Sequence, residues 1–160
     1  MENTATNSTS ISWKCKHTWK SASINTLWCL LGCSIGDFGT IYFFQVTEIP
    51  FPIPMFLADY ISPVMGIMAL AIINGLITSI MLETYILSRQ MELKAAFKTA
   101  IGMSLVSMIS MEIAMNLTDY LMTGGAVITF VTIIPMLLAG FITPLPYNYF
   151  RLKKYGKACH

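Results

Sequence analysis

The chain has 160 residues, of which 55% are hydrophobic and only 11% charged. Its mean hydropathy of +0.64 lies outside the range of ordinary soluble domains, so lipid must be the solvent for most of it. The net charge is +2, and the basic residues flank apolar stretches. They are not interleaved with stacking aromatic side chains, which argues against nucleic-acid binding.

Four long apolar stretches follow a polar beginning. Residues 1–20 are polar and are predicted to form a disordered N-terminal segment. Each apolar stretch is close to the ~20 residues that a helix needs to cross the hydrocarbon. The predicted fold is therefore an all-α polytopic membrane protein, a four-transmembrane-helix bundle within residues 21–150. The spans lie at about 24–46, 61–87, 97–116 and 126–144, and residues 151–160 form a basic tail.

The basic residues indicate the topology. They precede the first span, separate the second from the third and follow the fourth: Lys14, Lys16, Lys20, Arg89, Lys94, Lys98, Arg151, Lys153, Lys154 and Lys157. The other two connections carry only the acids Glu48, Asp59 and Asp119. By the positive-inside rule we expect a multi-pass protein of the cell membrane with both termini cytoplasmic.

The connections differ in length and chemistry. Residues 49–54 alternate proline with apolar residues, which favours an extended segment that is either a cap over the bundle or a docking surface. The turn at residues 123–125 is short and predicts an antiparallel hairpin of the third and fourth spans. Pro144 and Pro146 are predicted to end the last helix before the tail.

Three acids fall inside the spans: Asp37, Glu83 and Glu112. Charged groups in hydrocarbon cost several kcal/mol, and apart from Lys98 at the edge of the third span no intramembrane Lys, Arg or His is available to pair with them. They must be protonated and hydrogen-bonded, hydrated, or neutralised by a bound cation. Because Glu83 is close to Arg89 along the helix, we expect it to snorkel or to form a local ion pair.

Soft donor atoms recur on two of the spans. Cys29, Cys33 and Asp37 share one face of the first span, next to a small-residue strip of Gly32 and Gly36 that admits a neighbouring helix. On the third span one seam holds Met108, Met111, Met115 and Met122, with Glu112 beside it. Such seams are also common core packing, and that alternative stays open.

Cysteine and methionine together are the ligands that select Cu(I). The sequence therefore yields the hypothesis of an intramembrane copper site made of Cys29, Cys33, Met108, Met111, Asp37 and Glu112. Asp37 and Glu112 would set its charge. A secondary set of possible ligands lies in the terminal segments: Cys15, His17, Cys159 and His160. Because no cysteine falls on the oxidising side, a disulfide framework is not expected.

Catalytic signatures are missing from the sequence: there is no glycine-rich phosphate loop, no HExxH, and no histidine within the spans. We therefore expect no enzymatic activity of this chain alone. One alternative is a non-catalytic accessory subunit of a larger membrane complex, such as a copper-dependent membrane monooxygenase or oxidase. A weaker one is a proton or small-solute transporter using Asp37 and Glu112. Either a homo-oligomer or other membrane subunits are expected as partners.

Three stretches carry a family resemblance: residues 26–37, 102–116 and 140–148. They resemble small bacterial and archaeal membrane proteins catalogued as domain of unknown function forty-three ninety-six, from about Ser21 to Gly156. The alternating cysteines and glycines of the first stretch are the most specific part. The resemblance implies that these cysteines, Met111, Glu112 and the Pro-Tyr-Asn end of the last span belong to a shared pattern. It also implies an association with copper proteins.

Overall fold

Five helices make up the fold in the computed structural model, which describes residues 15–52, 61–89 and 91–155. They are α1 (Lys16–Thr47), α2 (Pro63–Ser88), α3 (Leu93–Thr123), α4 (Phe130–Ile142) and α5 (Leu145–Tyr155). No strand occurs within these ranges. The all-α prediction is confirmed.

Three helical segments are long and apolar enough to cross a membrane: α1, α2 and the segment Phe130–Lys153, which joins α4 and α5. α3 is bent by 53° between Leu93–Gly102 and Ser104–Thr123, and it is a fourth candidate if the two parts form one span. The described part of the chain therefore has three to four candidate spans.

Consecutive helices are neighbours in the bundle. α1 packs chiefly on α2, α2 on α3 and α3 on α4, while α5 packs on α1. α1 and α3 are parallel, since Cys33 lies beside Glu112 and Asp37 bonds Asn116 one turn further along. We call the end where α1 and α3 begin the basic end, and the opposite end the acidic end.

Two glycines of α1 allow α2 to approach closely. A Cβ at Gly32 would lie 2.7 Å from Ser79 Cα, and one at Gly36 would overlap the Asn74 carbonyl. Polar contacts reinforce the approach: Thr78 Oγ1 donates to Gly32 O at 2.7 Å. The small-residue strip predicted to admit a neighbouring helix is thus occupied by a helix of the same chain.

The basic end is closed by contacts between α1 and α5. The Trp19 and Tyr149 rings lie 4.4 Å apart between centroids, and Cys15 N donates to Tyr149 Oη at 3.4 Å. Asn148 Nδ2 donates to Thr26 Oγ1 at 2.8 Å. Residues 16–20, placed by the sequence in the polar 1–20 segment, are the first residues of α1. Residues 1–14 lie outside the described ranges.

The last helix was predicted to end at Pro144 and Pro146, but it is only interrupted there. α4 ends at Ile142 and α5 begins at Leu145, with Pro146 in its first turn, where the missing N–H costs no helical hydrogen bond. The basic tail therefore continues as a helix as far as Tyr155. Residues 156–160 lie outside the described ranges.

At the acidic end, α1 stops at Glu48, which has a left-handed backbone (φ 53°). Residues 48–52 have no regular secondary structure, as the alternating prolines predict, and the Phe51 ring packs 5.8 Å from that of Phe44. Asp119 Oδ2 accepts from Val127 N at 3.0 Å and fixes the turn between α3 and α4. Residues 53–60, the rest of the loop, are not described.

The glycine contact can be tested by adding one methyl group. We expect Gly36→Ala to lower the stability of the bundle in detergent by about 1–3 kcal/mol, because the new Cβ overlaps the α2 backbone. Gly39→Ala is the matched control, since a Cβ there meets nothing within 4 Å. Thermal unfolding followed by circular dichroism measures both. Equal midpoints for the two variants would contradict the packing described for α1 and α2.

A candidate metal centre in the helix bundle

The centre of the bundle is rich in sulfur. One cluster of buried residues contains Cys29, Leu30, Cys33, Met108, Met111, Met115 and Met136. Six of its seven members carry a sulfur atom, and they come from α1, α3 and α4. The four sulfur residues predicted as ligands are therefore brought together. Met122, predicted on the same seam, is 46% exposed and lies outside the cluster.

The helical repeat explains how α1 contributes two thiols. Cys29 and Cys33 are one turn apart and therefore share a face. Cys29 Sγ lies 3.6 Å from Ser79 Oγ, and the Ser79 hydroxyl donates to Cys29 O at 3.2 Å. Because that bond uses the only hydroxyl hydrogen, the Cys29 thiol is the donor toward Ser79. The Cys33 thiol faces Cys29 and is fully buried.

Glu112 projects its carboxyl group to the edge of the sulfur cluster. It is fully buried beside Cys33, and neither Oε1 nor Oε2 has a hydrogen-bond partner. Gly75 of α2 provides the space, since a Cβ there would overlap Glu112 Oε1. The Cys33 thiol is the neighbouring group that can donate to this carboxyl group.

Asp37 and Asn116 form the next polar layer toward the acidic end. Asn116 Nδ2 donates to Asp37 Oδ1 at 2.7 Å and to Glu112 O at 3.1 Å. Asp37 Oδ2 and Asn116 Oδ1 are buried and have no partner. Sequence reasoning missed Asn116, although its place one turn after Glu112 puts it on the same face of α3.

The structure corrects the expectation for Glu83. Arg89, its expected partner, donates to Tyr85 Oη and lies over the Tyr85 ring. Glu83 instead faces Ser104 of α3, Arg151 of α5 and Cys29 of α1. The physical reason is that groups of three other helices surround this side chain in the bundle. Glu83 is therefore directed inward, at the basic side of the sulfur cluster.

The predicted secondary ligands are separate from this centre. Cys15 is the half-buried residue before α1 and lies roughly 21 Å along the helix from Cys29 at ~1.5 Å per residue. Hydrogen bonds from the Thr18 side chain and backbone, aided by the charge of Lys153, lower the pKa of the Cys15 thiol to about 7. His17 follows in the first turn of α1. Cys159 and His160 lie outside the described residues.

Ligand chemistry restricts the kind of metal that the centre fits. Within residues 15–52, 61–89 and 91–155, no group of three or more His, Cys, Asp and Glu side chains is arranged to hold an ion. The other donor atoms in the buried cluster are the methionine thioethers. The buried sulfur atoms fit a soft ion, whereas magnesium or calcium would need a shell of oxygen atoms.

The fold and the centre define a class: an all-α protein with helices long and apolar enough to span a membrane, a sulfur-rich interior and buried acceptors without hydrogen bonds. The chain belongs to the family described as Domain of unknown function (DUF4396), which matches residues 18–157. The family resemblance drawn from the sequence is confirmed. No curated protein and no solved structure matches the chain.

The pKa of Cys15 predicts its reactivity. Thiolate is the nucleophile, so the rate of maleimide labelling in a Cys159→Ser background should rise through a midpoint of about pH 7 and then level off. Cys29 and Cys33 are buried and should not react in the folded protein. Thr18→Val, which removes the largest cause of the shift, should move the midpoint upward. A wild-type midpoint near ~8.5, the ordinary cysteine value, would contradict this environment.

Proposed function

We propose that this protein is an integral protein of the cell membrane that binds the soft ion Cu(I) inside its helix bundle. Cys29, Cys33, Met108 and Met111 are the proposed ligands, and Asp37 and Glu112 set the charge around them. One observation carries the proposal: two thiols of α1 and the thioethers of α3 lie in a single buried cluster. Met115 and Met136 supply further sulfur atoms in the same cluster.

Ligand softness supports copper over other metals. Thiolate and thioether donors select Cu(I), while a site for a harder ion would be built from oxygen atoms. Imidazole is not available in the bundle, because the two histidines, His17 and His160, lie near the ends of the chain. When bound, the ion would accept electron density from the sulfur donors and carry positive charge into the interior.

Charge balance further supports the proposal. A thiol must lose its proton to bind a metal, so loading releases protons inside the bundle. The Glu112 carboxyl group lies beside Cys33 with both oxygens unpartnered, and it offers an acceptor for such a proton. Without a cation or a proton, a buried carboxylate in this position would cost several kcal/mol.

Metal analysis tests the site directly. We expect near-stoichiometric copper in protein purified without chelators and none in the Cys29→Ser, Cys33→Ser double variant. The matched control is Cys15→Ser, Cys159→Ser, which removes the same number of thiols outside the bundle and should retain its copper. A second variant, Met108→Leu with Met111→Leu, keeps the core volume at a cost below about 1.5 kcal/mol per site and should weaken copper binding.

Two results would overturn the copper proposal. One is wild-type protein that binds no copper after anaerobic loading with Cu(I). The other is a double cysteine variant that is folded and still binds the wild-type amount of copper. In either case the sulfur cluster would be packing alone, which is the ordinary role of buried methionine.

We also propose that both termini face the cytoplasm, on the strength of the basic residues at the start of α1, from the end of α2 to the start of α3, and in α5. In a Cys159→Ser background, Cys15 reports the side on which the N-terminus lies. A membrane-impermeant maleimide should label it in opened membranes and leave it unlabelled in intact cells. Labelling in intact cells would reverse the proposed orientation.

A further inference from the structure

Buried polar groups continue from the sulfur cluster toward the acidic end. Glu112, Asn116 and Asp37 follow the cluster, and Asp119 lies one turn beyond Asn116, within electrostatic range of Asp37. All four side chains are at most 2% exposed. They form a continuous line of oxygen atoms between the sulfur cluster and the turn that joins α3 to α4.

This line contains acceptors that the described chain leaves largely unsatisfied, with the Cys33 thiol as a donor close to Glu112. Asp37 Oδ2, Asn116 Oδ1 and both oxygens of Glu112 have no hydrogen-bond partner. No Lys, Arg or His occurs in residues 21–88 or 99–150, so the helices around these acceptors offer no cationic side chain. Buried acceptors without donors are a recognised mark of sites where a ligand, ion or proton supplies the partner.

A second line of polar groups runs from the cluster toward the basic end. The hydroxyl oxygens of Ser107 on α3 and Thr84 on α2 are buried and have no partner. Glu83 faces both Cys29 and Arg151, so it connects the cluster with the end where α5 packs on α1. The sulfur cluster thus has polar neighbours on both sides along the bundle.

The sulfur cluster is longer than a single ion requires. Met108 to Met115 covers ~10 Å along α3 at ~1.5 Å per residue. Six sulfur atoms also exceed the about four ligands of a tetrahedral ion. A cluster of this length offers overlapping sets of sulfur atoms along the bundle.

From this arrangement we infer that the bundle conducts a soft monovalent cation from one end to the other, and that the sulfur cluster is the middle of the path. The inference rests on the proposed copper function and adds transport to it. The ion passes Asp119, Asp37 and Glu112 on the acidic side. It passes Ser107, Thr84 and Glu83 on the basic side. No covalent or redox step is involved, since the ion enters and leaves as Cu(I).

Flux measurements on the full-length protein in liposomes test the path. The vesicles contain a membrane-impermeant chromogenic chelator of Cu(I), and buffered Cu(I) is added outside under anaerobic conditions. Wild-type protein should give colour faster than protein-free vesicles. Asp119→Asn should lower the initial rate at least about tenfold, because a buried carboxylate that attracts the cation is removed. It should leave the amount of bound copper unchanged, since Asp119 lies outside the cluster.

Two further variants separate the path from the fold. Glu48→Gln removes an exposed acid at the same end of the bundle and should leave the rate unchanged. Thr84→Val removes a hydroxyl that has no partner and keeps the shape of the side chain, so it should fold normally and still slow the flux several-fold.

The outcomes distinguish the two proposals. Bound copper with no uptake above protein-free vesicles overturns the path and leaves the binding site standing. Uptake that is equal in wild type, Asp119→Asn and Thr84→Val also overturns the path. Neither bound copper nor uptake overturns both proposals.

Discussion

The close meeting of α1, α2 and α3 at Gly75 is the contact on which the rest of the centre depends. A Cβ at this position would overlap Glu112 Oε1 and would lie 3.0 Å from Cys33 O. Gly75 therefore contributes no side chain of its own where the three helices meet, and the space is taken by the Glu112 side chain. In lipid, where the hydrophobic effect does not drive helices together, such close backbone packing is the main source of association. A larger residue would move the carboxyl group of Glu112 away from Cys33.

Gly140 of α4 likewise allows a close approach of helices, on the opposite side of the cluster. A Cβ there would lie 2.6 Å from Met115 Cγ and 3.0 Å from Leu30 Cδ1. α4 can therefore place Met136 against the sulfur atoms of α1 and α3. Small residues on two helices thus make the space that the long, flexible methionine side chains fill.

Several hydroxyl groups in the described part of this bundle are satisfied within their own helix. Thr26, Ser34, Thr40 and Thr118 each donate to the carbonyl oxygen four residues earlier. This local bond is a common way to place a hydroxyl group in a helix that faces lipid or protein. The unpartnered atoms are, by contrast, concentrated around the sulfur cluster. An unpartnered buried group costs about 1–3 kcal/mol, so their position near one another calls for a chemical reason.

Hydropathy predicted the all-α fold because hydrocarbon admits only backbones that satisfy their own hydrogen bonds. Helical periodicity then placed Cys29 with Cys33 and Met108 with Met111, since residues four or three apart share a face. How the helices are rotated against one another decides whether Met136 and Asn116 face the centre and which residues surround Glu83. Nothing local in the sequence encodes that rotation. The packing of the first turns of α1 was also not predictable locally, because Trp19 contacts Tyr149, a residue far along the chain.

Packing alone accounts for the methionines but not for the acid beside them. A core needs volume, and methionine supplies it with little strain. An apolar side chain in place of Glu112 would fill the space beside Gly75 without the cost of desolvating a carboxyl group. The chain instead places two unpartnered carboxyl oxygens next to a buried thiol, in a region without any cationic side chain. That combination is unfavourable for stability taken alone, and a proton released from the Cys33 thiol would relieve it by neutralising the carboxyl group.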